Sequence, residues 1–92
     1  MMKLPLRFRV LHFLSNSGSV TCEQVVDALK DEYGDEGQFK PSVVEGHLMS
    51  LRAVGIVDVD KVDFDDNDNL MLWYKITDYG RSKLSYLPKE WR

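Results

Sequence analysis

Hydrophobic side chains recur at helical spacing three times in the first part of the chain, which predicts three amphipathic helices. We expect them at about residues 4–16, 22–33 and 42–54. Thr21 and Gln24 have the spacing of a capping box, which places the start of the second helix after Thr21. The apolar positions that carry the helical period are Leu4, Phe8, Leu11, Leu14, Val25, Leu29, Tyr33, Val44, Leu48 and Leu51.

The hydrophobic period changes to two after Gly55, which is expected to end the third helix. Apolar residues alternate on either side of an Asp- and Asn-rich stretch, which predicts a two-stranded hairpin, or wing, at about residues 56–77. Thr77 is a cap for a closing helix at about residues 78–87, before Pro88. This order of predicted helices and strands indicates an α+β fold with a three-helix bundle, a hairpin and a C-terminal helix. The alternating positions are Val57, Val59, Leu70, Leu72, Tyr74 and Ile76.

The composition indicates one globular domain, residues 1–92, in which we expect no catalytic site. Hydrophobic residues make up 43% of the chain and charged residues 29%, which is typical of a folded soluble protein. The sequence contains no run of about 18 apolar residues, so we expect a cytoplasmic protein without a membrane segment. It has one cysteine, Cys22, two histidines and no Gly-rich phosphate loop. We therefore expect no metal, no cofactor and no enzymatic activity.

Three segments resemble winged helix-turn-helix transcription regulators. Residues 7–14 resemble the first helix of the ArsR group, and residues 74–81 look like the end of the wing in PadR and MarR regulators. The ArsR recognition helix carries His-Leu-x-x-Leu-Arg-x-x-Gly-Leu-Val, and the similar stretch here is His47-Leu48-Met49-Ser50-Leu51-Arg52-Ala53-Val54-Gly55-Ile56-Val57. The resemblance covers nearly the whole chain. It implies a winged helix-turn-helix fold and a small regulator that binds duplex operator DNA as a homodimer, with helix three in the major groove.

The candidate DNA contacts are the outward positions of helix three and basic residues near them. Lys40 and Ser42 lie by the N-terminus of this helix, where free backbone N–H groups and the helix dipole favour a phosphate. Arg52 lies near its other end, and Lys75 on the second wing strand. The full set is Lys40, Ser42, Val43, Glu45, Gly46, Met49, Ser50, Arg52 and Lys75. His47 is expected at the edge of the core, packed or hydrogen-bonded.

The charge distribution favours a second interpretation. Residues 57–76 contain six acidic and two basic side chains, and a wing this acidic is repelled by phosphates. Glu45-Gly46 stands where the ArsR pattern usually has Ser-Arg, which removes a hydrogen-bond donor and adds a carboxylate. The alternative is a winged-helix protein–protein interaction module with little or no DNA binding, using the neutral face of helix three and the acidic wing.

The acidic tip of the wing has part of a calcium-binding pattern. Asp63, Asp65 and Asn67 match the opening of a calcium loop, but Asp68 stands in place of the required glycine and Tyr74 in place of the closing glutamate. Asp and Asn also favour turn conformations. We therefore interpret the segment as a solvated turn and predict no metal site.

Apolar residues in the first and last segments predict a homodimer, because a terminal segment this apolar is unusual unless it is covered. The alternative is that these side chains pack within the monomer. The candidate interface residues are Leu4, Phe8, Leu84, Tyr86, Leu87 and Trp91.

Overall fold

The secondary structure follows the order of a winged helix-turn-helix domain in the computed structural model, which describes residues 3–37 and 39–91. The helices and strands are α1 (Leu6–Ser15), β1 (Val20–Thr21), α2 (Cys22–Tyr33), α3 (Pro41–Ala53), β2 (Val57–Phe64), β3 (Leu70–Ile76) and α4 (Asp78–Ser82). Two 3₁₀ turns follow, Lys83–Tyr86 and Lys89–Trp91. In the part of the chain that is described, no helix is both long and apolar enough to cross a membrane.

The start of α2 confirms the predicted capping box. The Thr21 hydroxyl accepts a hydrogen bond from the Gln24 N–H at 3.2 Å, and the Gln24 side chain accepts one from the Thr21 N–H at 2.9 Å. Helix α1 begins two residues later than predicted, at Leu6. Pro5 is its N-cap residue, and a proline disfavours helical backbone at the residue before it, so Leu4 lies outside the helix.

Gly55 ends α3 as predicted. Its φ of +83° lies in the left-handed region, which costs glycine little. The N–H of Gly55 donates to the carbonyl of Arg52, and the N–H of Ile56 donates to the carbonyl of Leu51, each at 3.0 Å. These bonds satisfy carbonyls that the helix leaves open at its end and turn the chain into β2.

The sheet has three antiparallel strands in the order β1–β3–β2, one more than the predicted hairpin. The added strand, β1, pairs Val20 with Tyr74 and Thr21 with Trp73. It contains two residues, too few to show a strand period. The β2–β3 ladder has an irregularity between Val59 and Lys61, so Asp60 is a bulge residue.

The core lies between the helices and one face of the sheet. Helices α1 and α3 contact the sheet and one another, and Tyr33 of α2 and Tyr74 of β3 are the largest fully buried side chains. Burying a large apolar side chain stabilises a fold by about 1.5–3 kcal/mol, so each residue of the buried cluster contributes to its stability. The buried cluster is Val10, Leu11, Leu14, Val20, Val25, Leu29, Tyr33, Val44, Leu48, Leu51, Val57, Tyr74 and Ile76.

The closing helix is shorter than predicted. Thr77 caps it as expected, since its hydroxyl accepts from the Gly80 N–H at 2.9 Å. However, α4 ends at Ser82 rather than near residue 87, and the chain continues as a 3₁₀ turn. Leu87 has extended backbone because it precedes Pro88.

Gly80 and Gly46 are predicted to respond in opposite ways to alanine substitution. A Cβ at position 80 would overlap the Ile56 carbonyl and the Ile76 side chain, whereas a Cβ at position 46 would meet nothing within 4 Å. We expect Gly80→Ala to lower the free energy of unfolding by about 2 kcal/mol. We expect Gly46→Ala to raise it by about 1 kcal/mol, because glycine is a poor helix former. Urea denaturation of both variants measures these changes, and equal effects would contradict the packing at Gly80.

Candidate nucleic-acid interface

Helix α3 turns one face to the core and the other to solvent. Its buried residues are Val44, Leu48 and Leu51, and its exposed face carries no basic side chain before Arg52. Of the candidate DNA contacts, Val43 is half-buried. The exposed ones are Lys40, Ser42, Glu45, Gly46, Met49, Ser50, Arg52 and Lys75.

The N-terminus of α3 has fewer open amides than a typical helix start. Pro41 occupies the first turn and has no N–H. The N–H groups of Val43 and Val44 both donate to the Lys40 carbonyl at 3.0 Å. Among described residues, this leaves the N–H of Ser42 as the first-turn amide available to an anion, with the Lys40 side chain exposed beside it.

His47 links α3 to α1. Its Nδ1 accepts a hydrogen bond from Arg7 Nε at 3.3 Å, and the imidazole is half-buried. Burial and the Arg7 guanidinium lower the pKa of His47, so the ring is neutral at pH 7. The expected packed histidine is confirmed, and it holds Arg7 against α3.

Two of the candidate phosphate contacts are paired with carboxylates of β2. Arg52 Nε lies 3.8 Å from Asp58 Oδ1, and Lys75 Nζ lies 3.2 Å from Asp60 Oδ1. Both pairs are exposed, so each contributes little to folding. A cation paired in this way must leave its carboxylate or share its charge before it could neutralise a phosphate.

The bulge at Asp60 brings its carboxylate to two partners. The Ser19 hydroxyl donates to it, and Lys75 pairs with it. The hydrogen bond from Ser19 is the main cause that lowers the pKa of Asp60, with Lys75 next. The carboxylate is therefore ionised at pH 7 and neutralises Lys75.

The tip of the wing is an Asx-type turn. Asp65 Oδ1 accepts from the N–H groups of Asn67 and Asn69, both at 2.9 Å, and these bonds lower the pKa of Asp65. Asp68 has a φ of +60°, a left-handed conformation that Asp tolerates. In residues 3–37 and 39–91, no group of three or more His, Cys, Asp or Glu side chains is arranged to hold a metal ion.

The outer half of the wing carries an exposed apolar face that the sequence analysis did not identify. Val62 lies opposite Leu72 and Phe64 opposite Leu70, on the same face of the sheet as the buried Tyr74. Val62, Phe64 and Leu70 are 54%, 62% and 59% exposed. The apolar side chains therefore lie on one face of the wing, and Asp58 and Asp63, opposite Lys75 and Met71, lie on the other.

A groove separates β3 from the N-terminal parts of α2 and α3, and we call it the β3 groove. Its cavity is about 330 Å³ and its lining includes Cys22, Glu23, Glu45, Leu72 and Tyr74. Burial raises the pKa of the Cys22 thiol to about 11, and the carboxylates of Glu45 and Glu23 add to the shift. Burial and Glu45 likewise raise the pKa of Tyr74. Burial is the main cause of both shifts, and the carboxylate of Glu45 adds to each.

The candidate dimer residues divide into buried and exposed ones. Leu4 and Leu87 are each 3% exposed, so their side chains belong to the monomer core, as the alternative interpretation expected. Leu84 is half-buried against the core. The ring of Trp91 packs edge-on against that of His12, with 4.9 Å between the ring centroids. Two side chains remain well exposed, Phe8 at 45% and Tyr86 at 76%.

The Cys22 thiol is predicted to react slowly with iodoacetamide. A pKa of about 11 rather than 9.0 lowers the thiolate fraction at pH 8 about 100-fold, and the thiolate is the reactive form. Because the pKa is raised, the rate should still rise about tenfold per pH unit between pH 8 and pH 10. The control is the same protein in urea, where the thiol titrates near its ordinary value. A rate that levels off near pH 9 in the folded protein would contradict the shift.

Comparison with known proteins finds structural neighbours only. No protein-family model matches the chain, and no curated protein matches it. A PadR-like transcriptional regulator from Bacillus cereus strain ATCC 14579 superposes with a TM-score of 0.70 at 15% identity, over 94% of this chain and 80% of that one. PadR of Bacillus subtilis, solved in complex with operator DNA, superposes with a TM-score of 0.67 at 19% identity, over 92% of this chain. The chain spans about half of that PadR, 52% of its length. These likenesses confirm the predicted winged-helix fold.

Proposed function

We propose that this protein is a small DNA-binding transcription regulator that binds duplex operator DNA through α3. The observation that carries the proposal is the superposition, over 92% of the chain, on a PadR regulator that was solved with operator DNA. The two structural neighbours described above are PadR-like, which favours PadR among the three groups that the sequence resembles. The fold alone does not fix this function, so the proposal also requires that the surface of α3 suit contact with DNA.

The exposed face of α3 suits direct contact with base edges. Ser42 and Ser50 are donors and acceptors for several base edges, and Met49 suits a thymine methyl group. Gly46 has no side chain and open space around it, which allows a sugar-phosphate strand or a base edge to come close. Lys40, beside the open amide of Ser42, would contact a phosphate and set the position of the helix.

A homodimer would place two copies of α3 on successive half-sites, about one helical turn of DNA apart. Phe8 and Tyr86 are the exposed apolar candidates for its interface, and Leu84 and Trp91 are half-buried candidates. The arrangement requires these residues to be covered by the second copy.

A second function is favoured by the ion pairs of the wing. Arg52 and Lys75 are neutralised by Asp58 and Asp60, and the acidic wing repels phosphates. These charges support a winged-helix interaction module that uses the exposed face of α3 and the acidic wing to bind a protein, with little or no DNA binding.

Salt-dependent binding to duplex DNA tests the first proposal. We expect binding at about 50 mM salt that weakens as salt rises, because phosphate contacts release counterions. Lys40→Gln should reduce the slope of log affinity against log salt by about 1, as expected for the loss of one phosphate contact. Lys30→Gln, on the exposed side of α2, is the matched control and should leave the slope unchanged. Absence of binding at about 50 mM salt, where a basic winged-helix protein does bind, would rule out DNA as the ligand.

Removing the wing carboxylates should strengthen DNA binding. In the double variant Asp58→Asn, Asp60→Asn, Arg52 and Lys75 lose their ionic partners and become available to phosphates. We expect the salt slope to steepen by about 1 to 2. The double variant Asp27→Asn, Asp31→Asn removes the same charge from exposed positions of α2. An equal gain in both double variants would show that net charge alone sets the affinity.

A further inference from the structure

The β3 groove has an open strand edge as one wall. Strand β1 pairs only with Tyr74 and Trp73 of β3, because α2 begins at Cys22 and carries the chain away. In the described part of the chain, Leu70–Leu72 therefore has no strand partner on the side opposite β2. An unpaired edge of this kind is a template for an added strand from another chain.

The other wall of the groove is acidic. Glu23 and Glu45 line it from α2 and α3, and its described lining includes no lysine, arginine or histidine. The raised pKa of Cys22, due to burial and then to these two carboxylates, is consistent with that negative charge. A phosphate strand is repelled here, whereas a lysine or arginine side chain is attracted.

The floor of the groove is apolar. Leu70, Leu72 and Tyr74 lie on one face of β3, and Leu70 is 59% exposed. The cavity of about 330 Å³ falls in the size range of small binding pockets and has room for an aliphatic side chain. An extended segment with alternating basic and aliphatic residues complements all three features: the open edge, the carboxylates and the apolar floor.

We propose that the β3 groove binds an extended, basic segment of a partner protein, which adds as a strand along Leu70–Leu72 and places lysine or arginine side chains against Glu23 and Glu45. Main-chain hydrogen bonds to the edge supply affinity, and the two carboxylates select a cationic segment. This partner surface goes beyond the proposed DNA contacts, since it depends on the groove and not on Lys40.

Three synthetic peptides test the proposal against the full chain by ¹H–¹⁵N NMR titration. The first alternates lysine with valine, the second replaces each lysine with glutamate, and the third replaces the central valine of the first with proline. We expect the first peptide to shift the amides of Leu70–Leu72, Cys22 and Glu23. The acidic peptide should not bind, and the proline peptide should bind about tenfold more weakly, because proline lacks the N–H for pairing.

Protein variants separate the carboxylates from the general charge of the chain. Glu23→Gln with Glu45→Gln should weaken binding of the lysine–valine peptide about fivefold, which is the scale of two exposed ion pairs. Asp27→Asn with Asp31→Asn removes an equal charge outside the lining and should leave the affinity unchanged. Thermal melts of both variants establish that each is folded.

Several results would overturn the proposal. These are no binding of the lysine–valine peptide at about 1 mM, equal binding of the acidic peptide, or shifts that map outside the groove. Concentration-dependent shifts of Leu70–Leu72 without peptide would assign the edge to a second copy of this chain. Stronger shifts of the same amides by duplex DNA would assign the groove to nucleic acid. Lys40→Gln should weaken DNA binding and leave peptide binding unchanged, so failure of either proposal is distinguishable from failure of the other.

Discussion

The Ile56 carbonyl is the junction that sets the position of the wing relative to α3. It accepts from the N–H of Thr77 at 3.0 Å, and the single hydroxyl hydrogen of Thr77 is shared between the Gly55 carbonyl at 2.7 Å and the Ile56 carbonyl at 3.0 Å. Gly80 packs against this carbonyl from α4, where a Cβ would not fit. The end of α3, both strands of the wing and the start of α4 therefore meet at one point. The distances between α3 and β3 that shape the candidate interface depend on this junction.

Around this junction, the part of the surface that favours an anion and the part that is acidic lie in different places. At the N-terminal end of α3, Lys40 and the open amide of Ser42 favour an anion. Between α3 and the wing, Glu45 lines an acidic groove, and the pairing of Lys75 with Asp60 removes a free cation from the sheet. A basic segment bound in the groove would cover the carboxylates of Glu23 and Glu45 and lessen the repulsion of a phosphate strand. Partner and DNA would then strengthen each other's binding, since coupling between two sites is reciprocal.

Local signals in the sequence predicted much of the fold because they act over a few residues. The Thr21 capping box, the left-handed Gly55 and the period of α3 each depend on neighbours within about five positions. The pairing of β1 with β3 joins residues more than fifty positions apart. The hydrophobic period within a short stretch of sequence therefore cannot predict it. The bulge at Asp60 did leave a signal: the apolar positions of β2 change from odd to even numbers, Val57 and Val59 before it, then Val62 and Phe64.

The charges of the candidate site were readable from the sequence, but their partners were not. Six aspartates on the wing were evident, whereas the pairing of Asp58 with Arg52 and of Asp60 with Lys75 depends on the bulge and on the end of α3. Such exposed pairs add little to stability, so the same core supports many surface charges. A structural likeness at 15% and 19% identity therefore supports the fold and leaves the surface charge of this chain to be examined by itself. Function in this fold must be decided at the surface, where α3 and the wing differ in charge.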